Sequence, residues 1–231
     1  MRKLALGLAL ASTALASPSM ARDGQWYVGV DGGVMILEDS SFDIGTTANA
    51  ANISHEKGYD FGGVVGYDFG GFRLESEVSY KEADPSSMNS IVRIPGPAPI
   101  SIAAPGVTGT WPYVAGDANA LSFMVNGMFD FGADDGIQGF AGAGIGVARV
   151  DNHYSINSIG PGWVNDSDTG LAWQAIAGIR APISDSWDVG LKYRFFNVKD
   201  VDLVDTAGRA VNTNFRSHSL MGSLVYNFGG E

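Results

Sequence analysis

A chain of 231 residues with 25 acidic against 14 basic side chains has a formal charge of −11, which argues against a nucleic-acid partner, since phosphate binding needs clustered Lys and Arg. No cysteine is present, so a disulfide framework, thiolate catalysis and Cys-ligated zinc are excluded. The length suits one domain or two small ones.

At the N-terminus, Arg2 and Lys3 precede a predominantly apolar run from Leu4 to Ala16. Pro18 then breaks the run, and Ser19-Met20-Ala21 supplies small residues for a cleavage site. The pattern predicts a secretory signal peptide over 1–21 and one domain over 22–231. Loss of Arg2 and Lys3 brings the mature chain to a formal charge of −13. No later run approaches about 18 apolar residues, so membrane crossing would need a closed sheet rather than a helix.

Alternating runs bounded by turn residues predict eight strands in chain order: 25–37, 57–68, 72–81, 118–131, 137–150, 169–180, 186–198 and 214–228. The connections 69–71, 132–136 and 181–185 are short, whereas 38–56, 82–117, 151–168 and 199–213 are long. Strict alternation of short and long connections is the pattern of transmembrane barrels, with tight periplasmic turns and long extracellular loops. Rings gather at the strand ends beside the short turns: Trp26, Tyr27, Tyr67, Phe69, Phe72, Phe129, Phe131, Trp187, Tyr226 and Phe228. That is where an aromatic girdle would meet lipid headgroups. A sparser outer set is Tyr59, Tyr80, Tyr193, Phe195 and Phe215.

In FRLESEVSY, 72–80, Phe72, Leu74, Val78 and Tyr80 alternate with Arg73, Glu75 and Glu77. In a transmembrane barrel the apolar side faces lipid and the charges line the lumen. The same parity sends Asp31, Asp60, Asp130, Arg180, Asp188, Lys192 and Arg194 inward; the strand at 137–150 is apolar on both faces and its sidedness stays open. Eight strands leave an interior that side chains just fill, so these charges are expected to form a plug of ion pairs. Alternative pairings that open a narrow water path are the sharper reading.

These features resemble small outer-membrane β-barrels of Gram-negative bacteria, the OmpA-type N-terminal barrel and related surface antigens. The resemblance rests on GFRLESEVSY, FAGAGIGVARV, AWQAIAGIRAPISDSWDVGLKYRFF and the closing SLVYNFGG. It implies an all-β, eight-stranded antiparallel up-and-down transmembrane β-barrel in the cell outer membrane, with a last strand read by the assembly machinery. OmpA-type chains continue into a peptidoglycan-binding domain, and this chain ends at Gly229-Gly230-Glu231, so peptidoglycan anchoring is not carried over.

Chemistry-bearing motifs are sparse. His55, His153 and His218 fall near the extracellular end, but His218 shares parity with Leu220 and Leu224 and points away from Ser217 and Ser219, against an acid–base constellation. Asp166 and Asp168 lack the remaining ligands and terminal Glu of a calcium loop. GAGIG, 142–146, lies within a strand with no helix after it, which excludes a phosphate cradle. Trp111 and Tyr113, in the Pro- and Gly-rich stretch 93–113, are candidates for a surface contact.

The expected role is therefore structural, a monomeric, non-enzymatic surface protein without cofactor or metal, contacting outer-membrane lipid and lipopolysaccharide. The alternatives are a narrow channel for small solutes, a surface lipid-modifying enzyme and a soluble lipocalin-like binder.

Overall fold

The computed structural model describes residues 23–95, 107–132, 136–156 and 162–229. The segment 1–21, predicted to be a signal peptide, the middle of the stretch 93–113 and the last two residues lie outside them. Among the described residues the chain is all β, in twelve strands: β1 Gln25–Leu37, β2 Ser40–Ile44, β3 Thr47–His55, β4 Lys57–Asp68, β5 Phe72–Ala83, β6 Pro85–Ile94, β7 Val107–Trp111, β8 Ala115–Phe131, β9 Gln138–Ser155, β10 Val164–Pro182, β11 Trp187–Val204 and β12 Ala210–Asn227.

Eight of these run β1-β4-β5-β8-β9-β10-β11-β12, and β1 also pairs with β12, so the ring closes with every neighbour antiparallel. The stagger follows from the ladders. Lys57 pairs with Ile36, and the row continues through His218, Phe195, Ala175, Ala143, Gly127 and Leu74. It returns to β4 at Tyr67, ten residues further along the same strand. A ten-residue shear around eight strands tilts them by roughly 40° to the axis.

Alternation fixes what faces which way. Val30, Val34, Phe61, Val65, Leu74, Val78, Phe123, Val125, Leu191 and Leu220 are exposed on the outside, whereas Asp60, Glu77, Asn126 and Arg194 are buried within. The strand at 137–150 resolves the same way: Ile145 and Val147 face out, Ala148 and Val150 in. Gly70, at φ +99, turns the chain between β4 and β5, a conformation that side chains disfavour. Asp68 caps that turn by accepting from the Gly70 amide at 2.8 Å. The ends of the ring meet where the Phe228 amide donates to the Trp26 carbonyl at 3.0 Å.

The long connections are not simple loops. Residues 38–56 hold β2 and β3, and β6 and β7 occupy part of 82–117. They extend the sheet beyond the top of β12 in the order β2-β3-β6-β7. β9, β10 and β11 also run well past their sequence-predicted ends. This cap and the upper third of the ring enclose one apolar cluster that includes Met35, Phe42, Ile53, Met88, Tyr154, Trp163, Phe196, Val198 and Phe215. Phe215 therefore belongs to the interior and not to an outer set of rings. Tyr27 is likewise buried inside, at 1% exposure, because it shares parity with Asp31.

Candidate functional site

The polar interior lies between the short turns and the apolar cluster, and every strand of the ring contributes to it. Nearest the turns, Arg73 grips Asp130 with two nitrogens, Nε at 2.7 Å and Nη2 at 2.9 Å. Arg180 Nη2 stands 3.1 Å from Asp68 and 3.6 Å from the same Asp130, while its Nε donates to Gln138 at 2.7 Å. Asn227 donates to Asp188 at 2.9 Å. The Arg73 guanidinium also lies 5.1 Å from the Phe140 ring centroid, within cation–π range.

One level higher, the Tyr27 hydroxyl donates to Glu75 at 2.7 Å, and Arg73 Nη1 approaches the same carboxylate oxygen at 3.4 Å. Lys192 pairs with Asp31 and reaches Glu77 at 4.0 Å. Arg194 stands 2.8 Å from Glu77 and donates to both oxygens of Asp60, at 2.9 and 3.0 Å. Asn126 donates to Glu77 at 3.1 Å, and Gln174 to the Asn126 side-chain oxygen at 2.7 Å. At the top of the polar zone, Lys81 sits 3.7 Å from Asp60, donates to Ser79 at 2.7 Å and lies 4.2 Å from the Phe196 ring centroid. Lys81 therefore marks the boundary between ionic and apolar storeys.

Of the ten interior charges named from sequence, nine are buried and Asp130 keeps only its side chain enclosed. Arg73, Glu75, Asp130 and Arg180 join in the lower group, Asp31, Asp60, Glu77, Lys192 and Arg194 in the upper, and Asp188 meets Asn227. Sequence reasoning missed Tyr27, Lys81, Gln138 and Gln174, although parity could have found Lys81, two residues beyond Ser79 on the inward face. It also missed the apolar storey. The signal there was faint, because residues such as Phe195-Phe196-Asn197-Val198 put apolar side chains on both faces and erase the alternation.

Apart from Tyr27, the girdle rings named from sequence fall on the outer surface near the turns. Trp26 and Tyr67 stand 5.3 Å apart, Tyr67 and Phe69 4.6 Å, Phe69 and Phe72 6.2 Å, and Phe72 and Phe129 5.3 Å. Trp187 and Tyr226 are 5.0 Å apart and Tyr226 and Phe228 5.2 Å, while Phe131 is exposed at the end of β8. Of the two candidate contact residues, Tyr113 is 81% exposed, whereas Trp111 packs against the apolar cluster of the cap.

The histidines do not converge. His55 meets the Tyr154 hydroxyl at 3.1 Å within the cap. His153 lies 3.5 Å from Asp117. His218 faces outward, between Glu38 at 2.9 Å and the Tyr193 hydroxyl at 2.8 Å. Ser217 and Ser219 are buried on the opposite face of β12, with Ser219 donating to Asp60 at 2.7 Å. No group of three or more His, Asp or Glu side chains among the described residues is arranged to hold a metal ion.

A closed ring of antiparallel strands, greasy without and charged within, has its counterpart among known sequences. The outer membrane protein beta-barrel domain family matches residues 6–228. The chain belongs to that family, and its place is the outer membrane. The outer membrane protein OprG from Pseudomonas aeruginosa is similar in structure, with a TM-score of 0.57 at 9% identity over 90% of this chain and 99% of that one. Neisserial surface protein A aligns at a TM-score of 0.49 and 14% identity over 87% and 96% of the two chains. At such identities OprG attests the fold alone. No curated protein sequence matches.

Proposed function

We propose that the chain is an eight-stranded, up-and-down transmembrane barrel with a structural role at the cell surface, supporting the envelope and presenting its cap for contacts. The observation that carries this reading is the doubly filled lumen, two tiers of buried ion pairs below and a packed apolar cluster above. An ion would have to displace paired carboxylates in the first and shed its water in the second. The signal segment 1–21 would deliver the chain for export, and the closing strand with Phe228 would be read by the assembly machinery. Outer-membrane lipid and lipopolysaccharide would surround a monomer. The scattered histidines favour a non-enzymatic role.

A narrow channel is the second reading. It is favoured by shared carboxylates, since Asp130 serves both Arg73 and Arg180, and Asp60 serves both Arg194 and Lys81. Planar-bilayer recording separates the two. The filled barrel gives little or no conductance, whereas stable steps altered by Glu75→Gln or Arg73→Gln establish the channel and overturn the structural reading.

A further inference from the structure

The stagger of the ring allows outward residues to be placed by height. Level positions shift by about one and a quarter residues per strand, since ten residues are spread over eight strands. Starting from Lys57 on β4, that level passes Glu38 just above β1, Arg216 on β12, Lys199 on β11 and Arg149 on β9. All four cations project outward. Lys57 and Lys199 are exposed, Arg149 is 60% and Arg216 41% exposed in the side chain. Lys57 and the girdle ring Tyr67 are separated by ten residues of tilted strand, a height of about 25 Å, the thickness of the apolar band on such barrels. The cations thus form an arc at the upper edge of the hydrocarbon-facing surface.

Just beneath them lie Tyr59, Trp173, Tyr193 and Phe195, with His218 against the Phe195 ring at 5.1 Å. The arc is only partly neutralised. Arg216 lies 3.1 Å from Glu38 and donates to Asn197 at 3.3 Å; Arg149 lies 3.4 Å from Asp151 and donates to Ser167 at 2.8 Å. Among the described residues Lys57 and Lys199 have no carboxylate within ion-pair distance. Asp200 adjoins Lys199, and Asp168 and Asp202 stand above the arc. On the opposite flank, β5 presents Glu82 at the same level, and Asp117 of β8 stands just above it, bonded to Asn119.

We propose that Arg216, Lys199, Arg149 and Lys57 form a docking arc for the phosphate groups of a phosphorylated lipid in the outer leaflet, with the rings below them lying along its acyl chains. Cations at the membrane surface each attract anionic headgroups, and arginine grips phosphate oxygens in pairs. Long basic side chains at this height reach up to the headgroups while their stems stay against hydrocarbon. The occupant carries phosphomonoesters, because partly neutralised cations bind a doubly charged group better than a singly charged diester.

This inference rests on the membrane-barrel reading. Its test places the full chain in nanodiscs and titrates a bis-phosphorylated lipid A-type glycolipid, its dephosphorylated counterpart and phosphatidylglycerol, with bound lipid read by native mass spectrometry. The wild type should retain the bis-phosphorylated lipid roughly tenfold or more over the other two. Lys199→Gln should lower that preference, and a triple Arg149→Gln, Lys199→Gln, Arg216→Gln variant should abolish it. Circular dichroism confirms that the strands persist. A preference that survives in the triple variant, or equal retention of all three lipids, overturns the docking arc. A chain that never enters the bilayer overturns the barrel reading instead.

Discussion

Arg194 shows what a single buried side chain does in this interior. Its guanidinium joins Asp60 on β4 to Glu77 on β5 from β11, across the lumen, with all three fully enclosed. Removing one partner from a buried pair leaves uncompensated charge, which costs more than the pair itself contributes. Arg194→Met should therefore lose about 3–5 kcal/mol against urea in lipid vesicles, while a triple change that also neutralises Asp60 and Glu77 should recover much of the loss. Unchanged unfolding of the single variant would show that water reaches these carboxylates. At this scale the sequence was informative wherever polar and apolar residues alternate strictly, as in Arg73, Glu75 and Glu77. It misled at Tyr27, beside Trp26, because two consecutive rings cannot both face lipid.

Among the elements, β9 depends on what it lacks. Gly142, Gly144 and Gly146 occupy its inward positions, paired with Met128, Asn126 and Met124 of β8. A Cβ on Gly144 would lie 2.0 Å from the Asn126 side-chain oxygen, the atom that accepts from Gln174. The GAGIG run thus makes room for its neighbours' longer side chains. Gly144→Ala should destabilise the protein by about 1–3 kcal/mol through overpacking, measured as a lower urea midpoint, and Asn126→Ala in the same chain should relieve part of it. Additive losses would mean that the two positions do not collide. The ring strands could be read from alternation and turn residues, but β3, from Thr47 to His55, could not. TANAANISH is poor in β-branched and aromatic side chains, so this strand forms because β2 and β6 pair with it, not through its own propensity.

The molecule as a whole has two storeys of different chemistry, and acid should act on them differently. In the cap, burial pulls His55 down to about 4, against a partial upward pull from Asp39 and the Glu38 backbone, with the Tyr154 hydroxyl alongside. An opened cap takes up that proton near the ordinary value of 6.5, before the closed one does. The closed form is accordingly favoured above about 6.5 and loses that advantage as pH falls towards 4, by an amount on the order of 2–3 kcal/mol. Limited proteolysis of detergent-solubilised protein should show cap cleavage rising between pH 6.5 and 4 while the ring stays intact, and His55→Gln should flatten the profile. Cleavage independent of pH in the wild type would remove His55 from the account. Whole-molecule architecture was legible in the alternation of short and long connections; the apolar upper storey was not, since it is assembled from separate segments that each carry few apolar residues.

The uneven collar, basic along β9, β11, β12 and β4 but acidic at β5 and β8, makes the protein a dipole lying across the membrane plane. A cylinder with such a sideways moment does not offer its flanks equally as it spins about the membrane normal. In a leaflet crowded with anionic molecules it dwells with one side turned to them, and so acquires a compass bearing that its nearly circular outline would not supply.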